Sequence, residues 1–306
     1  MTFQQEIEDS ISHWCDRHFG EEKFTRGFHR ISPLFAPLSR EFKIRKTPII
    51  TIGGTNGKGE TVFTLGYLLA KKNLSIGLWT SPHVLSIRER FVFIDQKNIT
   101  VVGYEELRRQ IKISFDKIQR KKMTPSYYEF FFFVFCELCL ARKIDILVLE
   151  VGLGGRLDTV NLLDPHITAL TSISRDHENI LGRGYTSILR EKLGITRSAI
   201  PLVSNLSSHF CREQVKKHCF SNRIDHYDLY DLDITKFSDD YSLQNKKLAF
   251  FIRNLFLKEK ESLEEVDVMN FPDWPGRKPE MFWNNTRFIF QGGHNLDGIR
   301  KMMQHP

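Results

Sequence analysis

Short apolar runs alternate with longer periodic ones along the first two-thirds of the chain. Residues 49–52, 75–79, 144–149 and 167–170 are apolar over the length of a strand, and residues 62–72 carry apolar side chains at helical spacing. Another apolar stretch, residues 130–136, lies between Glu129 and Glu137 within a helical pattern over 128–140. It falls short of the roughly 20 residues that a membrane span needs, and reads as a buried helix. Strands separated by helices predict an α/β fold on a parallel sheet flanked by helices. Polar residues at the carboxyl ends of such strands line one crevice. Ser81, Glu150 and His177 follow three of these runs and stand in that kind of position.

Toward the two ends the pattern weakens. The first ~45 residues read as helical and partly polar, with Phe28, Ile31 and Leu34 at helical spacing. After residue 204, residues 223–240 alternate charge with Tyr, Leu and Ile as a short β segment does, and 243–257 form an amphipathic helical pattern. Residues 259–267 are acidic and expected to be exposed, 273–277 read as a turn and 287–290 as one more strand. No internal repeat is visible.

Composition narrows the partners. Lys and Arg number 44 against 37 acidic residues, a net charge of +7. That suits an anion such as ATP or a carboxylated substrate, but it is too diffuse to point to nucleic acid. Five cysteines, an odd number, stand in a sequence with no signal-peptide pattern. They are expected to be reduced thiols of a cytoplasmic protein. Cys136 and Cys139 lie at helical spacing inside the apolar run with no second Cys or His pair nearby, so core packing is expected there.

The chemistry is concentrated after the first apolar strand. Residues 51–61 read Thr-Ile-Gly-Gly-Thr-Asn-Gly-Lys-Gly-Glu-Thr, a phosphate-binding loop between a strand and a helix. Its glycines let backbone N–H groups converge on anionic oxygens, the helix turns its positive end toward them, and Lys58 reaches the outer phosphates. The Ser or Thr that normally follows the lysine is absent: Gly59 and Glu60 stand there. A carboxylate at this point repels phosphate unless it points away or meets magnesium. Thr61 supplies a hydroxyl one position along.

The loop alone leaves many functions open, and the motifs that follow it are more specific. Gly54-Thr55-Asn56-Gly57-Lys58-Gly59, then Thr80-Ser81-Pro82-His83, then Leu149-Glu150-Val151-Gly152-Leu153-Gly154-Gly155-Arg156-Leu157-Asp158 with Asn161, then Asp176-His177 with Leu181-Gly182, then Glu191-Lys192 with Gly194-Ile195, hold in order and spacing from about residue 28 to 201. This string closely resembles the folylpolyglutamate synthase/dihydrofolate synthase family of the Mur ligase superfamily.

The resemblance implies a Mur ligase central-domain fold. Residues 1–290 would form an ATP-binding central domain with an N-terminal helical segment, and 291–306 a remnant of the start of a C-terminal domain that is otherwise largely missing. It implies an ATP- and magnesium-dependent ligase that joins L-glutamate to a folate or dihydropteroate carboxylate through an acyl phosphate. Neither nucleic acid nor membrane is expected as a partner, and a separate C-terminal fragment would supply the missing domain. The alternative is a truncated, catalytically impaired homologue that binds nucleotide or a partner without ligation.

Roles follow position by position. Lys58, Lys192 and His177 are the implied catalytic residues, and Ser81, Glu150 and His177 the implied magnesium site. Gly54, Thr55, Asn56, Gly57, Lys58, Gly59, Thr61, Asn245, Arg277 and His294 are the implied nucleotide contacts. Lys192 matches a lysine that is often carbamylated in the family. Gln291 stands where the family has an acidic residue near the ribose. His83 is left out of the metal set, and Asp145 and Arg156 are expected to be structural or solvated.

Overall fold

The computed structural model describes residues 11, 13–15, 17–20, 27–28, 30–96, 98–232, 241–260, 271–272, 280–284, 286–289, 295 and 299. Among them, eight strands form one sheet in the order β4-β3-β2-β5-β1-β6-β7-β8. The strands are β1 (Ile49–Gly53), β2 (Ser75–Trp79), β3 (Phe91–Asp95), β4 (Asn98–Val101), β5 (Ile146–Glu150), β6 (Ile167–Leu170), β7 (Leu202–Ser204) and β8 (His226–Asp228). From β2 to β8 every pairing is parallel, whereas β3 and β4 add on antiparallel at one edge. The parallel expectation therefore holds for the six central and right-hand strands and is corrected at the β3–β4 edge. There a short connection between adjacent strands replaces a helical crossover.

Alternation along the central strands explains why helices cover both faces. In β1 and β5, Ile50, Ile52, Ile146 and Val148 point to one core, while Ile49, Leu147 and Leu149 point to the other. The first core is closed by α2 (Lys58–Ala70) and α8 (Tyr241–Leu257), which contribute Val62, Leu65, Leu69, Leu248 and Ile252. The second is closed by α1 (Ser32–Arg45), α3 (Tyr104–Arg120) and α4 (Tyr127–Ala141).

The expected apolar helix over 130–136 is α4, and Phe130, Phe131, Phe132, Val134, Phe135 and Cys136 have no exposure at all. A helix apolar all round must be enclosed on all sides. It starts at a capping box in which the Ser126 hydroxyl accepts from Glu129 N–H and Glu129 accepts from Ser126 N–H. Arg30 holds the same carboxylate through both oxygens at 2.6 Å. Cys136 and Cys139 are buried free thiols, as expected.

The remaining helices are α5 (Glu178–Leu181), α6 (Gly184–Leu193) and α7 (His209–Asn222). The alternating segment at 223–240 contributes β8, and the strand expected at 287–290 is β10 (Thr286–Ile289), paired antiparallel with β9 (Glu280–Trp283) in a separate two-stranded sheet. Asp145 accepts from Ser75 N–H and Arg156 pairs with Glu191, so both charges are structural. Among the described residues no helix is long and apolar enough to cross a membrane.

Candidate functional site

The carboxyl ends of β1, β2, β5 and β6 carry the chemistry. β1 ends at Gly53, and the loop of residues 54–57 turns the chain into α2. Two glycines are required by the turn itself. Gly54 has φ 140° and a Cβ there would lie 1.9 Å from Thr171 Oγ1; Gly57 has φ 83° and a Cβ there would lie 2.3 Å from Asn245 Oδ1. Backbone in these regions is strained for any residue bearing a Cβ.

The segment after β6 fastens the loop. Thr55 N–H donates to Ser172 O (2.8 Å), Asn56 N–H to Ser172 Oγ (3.0 Å), and the Thr171 hydroxyl to Asn56 O (2.6 Å). Ser174 N–H donates to Thr55 Oγ1 at 3.1 Å. These partners were not read from the sequence. The signal available for them was the run of hydroxyl residues directly after the β6 strand.

Three lines of side chains converge on the loop. Lys58 Nζ donates to Thr55 O at 2.9 Å, and Lys192, in the last turn of α6, donates to Gly54 O at 2.6 Å. Lys192 is buried, and desolvation, reinforced by the nearby Lys58 charge, holds its ammonium well below the ordinary lysine range. Asn56 and Asn295 exchange amide bonds at 2.9 and 3.2 Å, and Asn295 Nδ2 also donates to Asp176 Oδ2 at 2.9 Å. Asp176 is thereby tied to the loop, and His177 sits beside it with φ 51° and its ring 3.7 Å from the Asp176 carboxylate.

Glu150 is the last residue of β5 and is buried; its Oε2 accepts from Ser81 N–H at 3.0 Å. The Ser81 hydroxyl is buried with no hydrogen-bond partner among the described residues. An orphaned hydroxyl beside a carboxylate is a pair of hard oxygen donors, which fits magnesium. No cluster of three or more His, Cys, Asp or Glu capable of holding a metal occurs among the described residues. A metal at Ser81 and Glu150 would thus take most of its ligands from phosphate and water.

The Gly-rich turn after Glu150 is held by a side chain that the sequence reading passed over. Asp158 Oδ2 accepts from Gly152 and Leu153 N–H at 2.9 and 3.1 Å, and Oδ1 from Val160 N–H at 3.0 Å. Tyr128, which takes a bond from Trp79 Nε1, reaches the same carboxylate at 3.4 Å. Burial pushes the Asp158 carboxyl up to about 6, against the pull of those N–H donors.

Two expectations about the loop change. The Thr61 hydroxyl is buried and donates back to Gly57 O at 2.9 Å, so it serves the helix backbone and does not replace the hydroxyl missing after Lys58. Glu60 points away from the loop: it accepts from the Ser242 hydroxyl and, at 2.7 Å, from Asn245 Nδ2. Asn245, fully buried, packs on Gly57. Arg277, Gln291 and His294 lie outside the described residues.

No family model matches the chain. Dihydrofolate synthase/folylpolyglutamate synthase of Haemophilus influenzae is 34% identical over 203 residues, which is 65% of this chain and 44% of that protein. A solved bifunctional folylpolyglutamate synthase/dihydrofolate synthase with Mn, AMPPNP and L-glutamate bound is 29% identical, with a TM-score of 0.60 over 71% of this chain and 51% of its own. In sequence and in fold the chain is similar to the folylpolyglutamate synthase/dihydrofolate synthase family. It spans about half the length of these two relatives. A folylpolyglutamate synthase complex with AMPPCP shares the fold over 98% of this chain, with a TM-score of 0.77 at 21% identity. The mixed sheet flanked by helices is the fold of this family.

Proposed function

We propose that the chain binds ATP and magnesium and serves as an amide ligase that joins L-glutamate to a folate or dihydropteroate carboxylate through an acyl phosphate. The observation that carries this reading is the paired placement at neighbouring strand ends of a phosphate loop and an orphaned Ser81 hydroxyl beside the buried Glu150 carboxylate. AMPPNP, Mn and L-glutamate in the family structure support the same ligand set here.

In this reading the loop amides from Gly54 to Gly59 and the start of α2 hold the β- and γ-phosphates, and Lys58 exchanges its bond to Thr55 O for a phosphate oxygen. Ser81 and Glu150 would hold the magnesium, and His177 would hold water bound to it. Bound there, magnesium would neutralise charge developing on the transferred phosphoryl group. The acceptor carboxylate attacks the γ-phosphorus and ADP leaves; the glutamate amine then attacks the acyl carbon and phosphate leaves. Lys192 in its neutral form is the nucleophilic state of an amine, consistent with carbamylation of this residue. Residues 1–290 act as the nucleotide-binding unit, with Arg277 and His294 on the nucleotide, in a cytoplasmic protein; the nucleotide contact implied for Asn245 is replaced by a buried position behind Gly57.

The orientation of Glu60 weakens the electrostatic objection to this reading, because the carboxylate is engaged by α8 and not aimed into the loop. The test is incubation of the chain with ATP, magnesium, labelled glutamate and either dihydropteroate or a reduced folate. An amide product formed together with ADP is expected. Measurable ATP binding with no product from either acceptor would instead leave a nucleotide-binding protein without ligase activity.

A further inference from the structure

Glu60 is where this loop departs from the usual pattern, and its contacts give it a role. It is the third residue of α2, whose N-cap is Gly57. A carboxylate so close to a helix N-terminus occupies the field that the loop offers to phosphate. Both of its oxygens nevertheless face α8, one taking the Ser242 hydroxyl and the other Asn245 Nδ2 at 2.7 Å. The carboxylate only accepts, so it fixes which end of the Asn245 amide faces it. The opposite end lies over Gly57, so close that a Cβ there would be 2.3 Å from Oδ1 and 2.7 Å from Nδ2. Asn245 is therefore a fully buried wedge between Glu60 and the residue whose φ of 83° starts the helix.

We propose that Glu60 is a positioning residue for the phosphate loop, holding Asn245 against Gly57 so that the left-handed turn aims the following N–H groups at the phosphates. The proposal rests on the reading of this loop as a nucleotide site. It carries a sign that charge alone does not. Removing a carboxylate from a helix N-terminus by itself tightens anion binding. Removing the wedge loosens the cradle and weakens it. Glu60→Gln discards the charge but keeps the clamp, since its oxygen accepts from Ser242 and its NH2 meets Asn245 after the amide turns over. Glu60→Ser discards both, because its short side chain does not span to α8.

The experiment is calorimetric binding of AMPPNP with magnesium, and of inorganic tripolyphosphate, to the full chain and to Glu60→Gln, Glu60→Ser, Asn245→Ala and the Glu60→Ser/Asn245→Ala pair, with melting temperatures for each. Losing a hydrogen bond to a charged group sets the expected scale at about tenfold. Glu60→Ser and Asn245→Ala should each weaken both ligands about that much, the pair should be no weaker than either single change, and Glu60→Gln should bind as tightly as the parent or more tightly. Tighter binding by Glu60→Ser overturns the proposal. So does equal weakening in both Glu60 variants, which would mean that the charge itself is used. So does a fall in melting temperature with dissociation constants unchanged, which marks a purely structural contact. A parent chain that binds neither ligand removes the nucleotide-site reading itself, a result separate from all of these.

Discussion

Gly54→Ala puts the cradle under a defined strain. The new Cβ would stand 1.9 Å from Thr171 Oγ1 and 3.1 Å from both Ser172 N and Thr171 Cβ, on a backbone at φ 140°. Holding a non-glycine residue in that region costs about 1–3 kcal/mol. Thr171 must also swing away, giving up its 2.6 Å bond to Asn56 O, which adds about 1 kcal/mol. The sum, about 2–4 kcal/mol, is roughly 30- to 1,000-fold in a dissociation constant if the loop relaxes in place of the whole fold. Gly54 O also accepts from Lys192, so relaxation moves that amine as well. AMPPNP binding by calorimetry and the melting temperature of the free protein measure the two ways the strain is released. Thr171→Ala in the same chain should recover only part of the loss, since it clears the hydroxyl but leaves φ and the contacts near 3.1 Å. Binding of Gly54→Ala within twofold of the parent, with an unchanged melting temperature, would refute the reasoning.

Other consequences are open to measurement. Lys192 is buried and held toward its neutral form; with 13C-bicarbonate the chain should show a carbamate resonance that Lys192→Arg lacks, and identical spectra would rule the modification out. Asp158 should titrate with a midpoint near 6 by carboxyl 13C NMR; a midpoint near 4, the unperturbed range, would mean that it is not desolvated. Because its folded pKa is raised, its contribution to stability is complete below the unfolded value of 3.8 and is lost as pH rises through about 6. The loss is about 3 kcal/mol at about 1.4 per unit, read as the pH dependence of unfolding relative to Asp158→Asn. Arg30→Ala leaves the buried Glu129 carboxylate with its capping bond from Ser126 alone, and should destabilise the fold by about 2 kcal/mol in urea unfolding, with Glu129→Gln restoring part of the loss.

What could be read from the chain follows from how local its physical causes are. The loop, the strands that lead to Ser81 and Glu150 and the all-apolar helix at 130–136 declare themselves through period and glycine spacing within a dozen residues. The β3–β4 edge was missed although Phe91, Val92, Phe93 and Ile94 of β3 are buried; β4 is short and half exposed, with Asn98 and Thr100 on its outer side. The helix over Tyr104–Arg120 was passed over too, although Leu107, Ile111 and Ile118 mark its buried face. Glu60 shows the limit most clearly. Its spacing in the loop suggested repulsion, and only the packing of α8, some 180 residues later, reveals that Ser242 and Asn245 hold its two oxygens. Asp158, likewise, has ordinary neighbours in sequence; its role comes from the turn folding back so that three N–H groups meet one carboxylate.

The proposed ligase function turns on activation of a carboxylate by phosphoryl transfer. The direct test is ligation with an acceptor whose reacting carboxylate is labelled with 18O, followed by mass analysis of the phosphate released. The acyl-phosphate route predicts one 18O atom in each phosphate formed per amide bond. Amide formation accompanied by unlabelled phosphate, or ATP cleavage with no amide, would contradict it.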